Sequence, residues 1–148
     1  MNDAAMAAKA FLESMESQQK RVQMMHEEYQ RIRHSLDVSG VNYECTGAVN
    51  ATRKTDAMAE MIAEMVDFES EMKQEECVLA SMHLKATSSI SRLTDDKERE
   101  VLHRWYLLHQ SEDEIRKAMG YSQSMIYSFR QRGLSHLENF GKNRKNSE

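Results

Sequence analysis

Across 148 residues the chain has no proline, so no position withholds a backbone donor or forces a kink on a helix running through it. Only five glycines occur, which leaves long stretches without a breaker. Alanine, methionine, glutamate, glutamine, lysine and leucine dominate, the residues that lose least on entering a helix, and strand-like runs are missing. The chain length suits one domain, or a small domain with an extension. The expectation is an all-α fold: a long antiparallel, coiled-coil-like helical hairpin followed by a small C-terminal helix-turn-helix domain.

The spacing of apolar residues sets the boundaries. Phe11, Met15, Val22, Met25, Tyr29, Ile32 and Leu36 follow a heptad stripe interrupted at Gln18 and Gln19, which predicts one amphipathic helix from residue 3 to about 36. A loop is expected at about 37–54, where the stripe is lost and two glycines fall among asparagines and β-branched residues. A second stripe follows through Met58, Met61, Met65, Phe68, Met72, Leu79, Met82, Ala86 and Leu93, with polar exceptions at Glu75 and Ser89. Residues 1–93 thus read as the hairpin. Two helices alone have a thin core for 12 methionines, so a homo-oligomer is expected, a dimer favoured.

Charge is divided along the chain. Residues 1–93 hold 10 Lys and Arg against 15 Asp and Glu, whereas residues 94–148 hold 10 against 9. From Arg116 to Lys145 seven cations face Glu138 alone. An acidic arm therefore carries a basic end, the asymmetry expected of a nucleic-acid partner at that end. The acidic run from Asp56 to Glu76 reads first as a solvated helix face.

Residues 94–140 carry their own start and stop signals. Thr94 or Asp95 can cap a helix over about 96–109, with Asp95 and Glu98 at capping-box spacing and Val101, Leu102, Trp105 and Leu108 as its apolar face. Ser111 and Glu114 form another capping box, Ile115, Ala118 and Met119 supply the next stripe, and Gly120 sits where a helix end takes a left-handed residue. Ser122 can cap the last helix, with Tyr121 as a core anchor. Ile126, Phe129 or Arg130, Gly133, Leu134, Leu137 and Phe140 then face inward. A short helix, a glycine turn and a longer helix are the arrangement that places the second helix in the DNA major groove. The candidate DNA-binding residues are Gln123, Ser124, Tyr127 and Ser128 at base edges, with Ser122 and Gln131 beside them. Arg116, Lys117, Arg130 and Arg132, with the tail at 141–148, are the candidates for phosphates.

The stretches "DDKEREVLHRWYLL" and "SEDEIRKAMGYSQSMIYSFRQRGLSHL" resemble region four of the bacterial sigma-70 family. The chain as a whole is similar to phage and prophage regulators of the ArpU and RinA type, which set a long helical part before a sigma-like unit. Arg116 stands where the family pattern has alanine, and Gly133 replaces the usual alanine before Leu134; nothing resembles sigma region two. The resemblance implies a DNA-binding activator of late phage genes, with double-stranded DNA and RNA polymerase as partners. A phage small terminase subunit and a protein-interaction module are the alternatives.

Other chemistries find little support. Ser17 to Lys20 matches Ser-x-x-Lys without any accompanying motif, so no enzyme activity is expected. Cys45 and Cys77 read as free thiols, and no His or Cys spacing suits a metal, so no cofactor is expected. No segment reads as a membrane span or a leader, and the expected location is the cytoplasm of a bacterial host, at the nucleoid.

Overall fold

The computed structural model describes residues 3–41 and 48–137, with side chains described over 3–37 and 56–137. Helix α1 spans Asp3–Val41, α2 Ala48–Ser91, α3 Asp96–Leu102, α4 Glu112–Met119 and α5 Gln123–His136, and α3 runs on into a π-helical turn at His103–Leu107. The fold is all-α, and α1 and α2 form the long hairpin. Helix covers residues 37–41 and 48–54, which corrects the loop expected at 37–54. A single glycine costs about 1 kcal/mol in a helix, and without proline that cost does not stop propagation of a helix already nucleated. Residues 42–47 at the centre of the expected loop lie outside the described residues, as do Cys45, Phe140 and the tail at 141–148.

The chain forms two compact units, one of residues Gln18–Leu79 and one of Met1–Ser17 with Ala80–Glu148. The start of α1 and the end of α2 therefore belong to the same unit as the helix-turn-helix.

In the Gln18–Leu79 unit the helices run antiparallel: Gln18 meets Glu75, while Tyr29 further along α1 stacks on Phe68 with ring centroids 6.5 Å apart. Two of the polar interruptions noted in the stripes, Gln18 and Glu75, meet each other. Gln18 Nε2 donates to the Glu75 carbonyl at 3.1 Å and to its carboxylate at 2.5 Å. A paired polar group within an apolar seam fixes one register, because any slip leaves it without a partner. Arg21 joins at 3.4 Å from Glu75, and His26 pairs with Glu76. The seam is thin. Within this unit only Val22 and Met72 are buried apolar residues among those described. Met25, Tyr29, Ile32, Leu36, Met58, Met65, Phe68 and Leu79 are half-buried, and Met61 is exposed despite its heptad position.

The other unit is better filled. Ala5, Ala8, Leu12 and Met15 of α1 and Ala86, Ile90 and Leu93 after them are buried. Leu12 takes the place expected for Phe11, because the buried positions repeat as 5, 8, 12 and 15 and leave Phe11 one residue off the seam. The Phe11 ring instead lies half-buried under the Lys85 ammonium, 5.0 Å from its centroid. Val101, Ile115, Ile126 and Phe129 form the core of the helix-turn-helix, with Trp105, Met119 and Tyr121 packed around it. Ala118 is exposed and drops out of the expected α4 stripe.

Candidate nucleic-acid interface

Local capping chemistry builds the turn between α4 and α5. Ser111 Oγ accepts from the Glu114 amide at 3.3 Å and the Glu114 carboxylate accepts from the Ser111 amide at 3.2 Å, a reciprocal pair that satisfies two otherwise orphaned donors. At the far end Gly120 has φ 74°, a left-handed conformation that glycine adopts without a Cβ penalty, and its amide donates to the Arg116 carbonyl at 2.8 Å. Ser122 then caps α5 by accepting from the Met125 amide at 3.4 Å. Three residues thus end one helix and start the next.

With Ile126, Phe129, Gly133 and Leu134 buried, the opposite edge of α5 faces outward. Gln123, Ser124 and Arg132 are exposed, Tyr127 is 56% exposed, and Ser128 and Gln131 are half-exposed along the same row. Ser122 is exposed too, but its hydroxyl is committed to the cap. Arg116 and Lys117 are exposed in the last turn of α4, where cations complement the helix dipole. Arg116 also lies 3.7 Å from Asp113. No carboxylate occurs between Gln123 and Leu137, so this row presents hydrogen-bonding groups without a repelling charge.

Arg130, expected either on the inward stripe or among the phosphate contacts, is held inside the unit. Its Nε and Nη2 donate to the Tyr106 hydroxyl at 3.1 and 2.9 Å, and its guanidinium lies over the Trp105 ring, 4.5 Å from the centroid. The planar, weakly hydrated guanidinium suits such a stacked, partly buried setting. The π-helical turn makes the contact possible. Leu108 N donates to His103 O at 3.0 Å, one residue wider than an α-helical bond. The wider turn buries Tyr106 and leaves Leu108 51% exposed, which corrects the apolar face expected for 96–109.

Burial pushes the Tyr106 phenol above its ordinary pKa of 10.0, against the opposing influence of Arg130. A raised acid pKa means that the folded state holds the proton longer than the unfolded chain. Stability is then full below about pH 10 and falls as the pH rises through the higher folded value. Tyr106→Phe is expected to remove this alkaline loss. It should also lower neutral-pH stability by about 1.5–3 kcal/mol, because the Arg130 charge loses its acceptor. Urea unfolding measured as a function of pH checks both effects, and an unchanged alkaline limb would sink the assignment.

Glu98 is a second departure. Asp95 alone caps α3, accepting from the amides of Lys97 at 2.8 Å and Glu98 at 3.2 Å. These bonds hold the Asp95 carboxyl below its ordinary pKa. Glu98 does not complete the capping box; it is buried, and its Oε2 accepts from His136 Nδ1 at 2.8 Å.

Lys97 is not among the DNA contacts expected from the sequence. Its ammonium lies 5.3 Å from the Tyr121 centroid and 5.8 Å from that of Phe129, while Arg132 covers Phe129 at 5.1 Å. Tyr121 meets Phe129 edge-on at 5.2 Å and 75°. Two cations from α3 and α5 therefore converge on one fixed ring.

Among the described residues no cluster of His, Cys, Asp or Glu is placed to hold a metal ion, and no helix is long and apolar enough to cross a membrane. No family model matches the chain, nor does any curated protein or solved structure.

Proposed function

We propose that this chain is a sequence-specific regulator of transcription that binds double-stranded DNA, a phage late-gene activator acting in the bacterial cytoplasm. The observation that carries the reading is the outward row of α5, with Gln123, Ser124 and Tyr127 exposed directly after the capped turn. Glutamine and serine reach base edges, while Arg116, Lys117 and Arg132 supply charge for the backbone. Arg130, held by Tyr106, orients α5 rather than gripping phosphate. RNA polymerase is the further partner that the sigma-like sequence suggests.

The same reading includes self-association through the Gln18–Leu79 unit, the dimer being the favoured state. Its half-exposed seam supports this, together with Ile62 and Val66, 49% and 57% exposed on α2.

Gel shifts on duplexes from the promoter region of the surrounding phage genes test the proposal, with sedimentation of the same samples giving the mass. Binding is expected to weaken steeply with salt as counterions are released. Replacing Ser124, Tyr127 and Gln131 together by alanine should cost at least about tenfold in affinity for the specific site, since each base contact contributes discrimination of about 1–3 kcal/mol. Equal binding by the triple variant would refute the assigned surface.

A further inference from the structure

We infer that Lys97 and Arg132 form a clamp for one backbone phosphate, flanking the row of α5 that reads the bases. The inference rests on the DNA-binding reading and extends it to α3, none of whose residues is among the DNA contacts expected from the sequence.

Both side chains are exposed, yet neither floats free. Each lies over an aromatic face, Lys97 above Tyr121 and Phe129 and Arg132 above Phe129. Phe129 is only 3% exposed, so the surface beneath the two cations is anchored in the core. A cation on a ring face is positioned without using up its N–H donors, which stay available to a phosphate oxygen. Among the described residues neither Lys97 nor Arg132 takes part in an ion pair within 4.0 Å, whereas Arg99, Arg104 and Arg116 each do.

Placement along α5 fits as well. Arg132 follows Ser128 by one helical turn, so it borders the row of Ser124, Ser128 and Gln131. A helix seated in a groove has phosphates along its flanks, and contacts there fix register without reading sequence. The anion that faces both cations from α3 is Asp95, whose charge they help to stabilise. Its Oδ1 is occupied by two backbone amides, and its charge offsets part of the clamp's field.

The experiment compares the full-length chain with Lys97→Met, which keeps the apolar stem, Lys97→Arg, which restores the charge, and Arg132→Met. A promoter duplex and an unrelated duplex are titrated over a salt series. For Lys97→Met and Arg132→Met we expect the same loss on both duplexes, about five- to tenfold each. The slope of log affinity against log salt should fall by about one for each, and Lys97→Arg should bind as the original chain does. Asp95→Asn, which still caps the helix, should bind more tightly at low salt. Salt-dependent binding by the parent chain with an unchanged slope for Lys97→Met overturns the clamp while leaving the DNA reading intact. Loss confined to the promoter duplex also overturns it, because that outcome marks a base contact. Absence of salt-dependent binding by the parent chain overturns the DNA reading and the clamp together.

Discussion

Gly133→Val is expected to destabilise the helix-turn-helix unit by about 3 kcal/mol, at the upper end of overpacking costs. A Cβ at this position would lie 2.9 Å from Leu102 Cδ1, 3.2 Å from Leu102 Cγ and 3.4 Å from Glu98 Cβ. Leu102 is fully buried, so it cannot swing away without disturbing its own neighbours. Valine adds two further methyl groups to a space that does not admit the first carbon comfortably. Gly133→Ala poses a closer contest: alanine gains about 1 kcal/mol of helix propensity and loses a similar amount against Leu102. Alanine should therefore leave the urea midpoint nearly unchanged while valine lowers it sharply. A valine variant as stable as the parent would show that α3 and α5 do not approach each other this closely.

The second large effect concerns a residue that looks dispensable. The His136 side chain is 62% exposed, but it faces the carboxylate of Glu98, whose side chain is only 4% exposed. Removing His136 strands a buried acceptor that water reaches poorly, and such a loss costs about 1–3 kcal/mol, more for a charged group. His136→Ala is thus expected to lower stability by about 2 kcal/mol, well above the usual ±0.5 kcal/mol for an exposed position. In a Glu98→Gln background the same replacement should cost about half as much, because a neutral amide tolerates burial better than a carboxylate. Urea unfolding of the four proteins completes a double-mutant cycle, and additive effects would disprove the coupling.

The capping motifs were legible in the sequence because they act within four residues. Ser111 with Glu114, Gly120 and Ser122 all behave in the structure as their spacing predicts. The heptad stripes foretold the hairpin for a similar reason, and their polar interruptions at Gln18 and Glu75 marked a contact rather than a flaw. Features that depend on distant partners were not legible. Arg130 turns toward Tyr106 only because a widened turn presents that phenol, and no local pattern announces the widening. Glu98 has the right spacing for a cap but a more demanding partner in His136. Gly133 suggests a softened helix when read alone, yet its place opposite Leu102 makes it a point of close approach. Helix over much of 37–54 shows the limit of turn propensity when no residue compels a break.

The π-helical turn at His103–Leu107 has a bearing on how this unit can change. It is a length adjustment as much as a conformation. It holds one residue more than an α-helical turn, so deleting one residue there would let the turn close to the ordinary α-helical width. The widening beside Tyr106 would then be lost, and with it the placement that meets Arg130. At this turn the unit depends on the number of residues in the chain as much as on the side chains they carry.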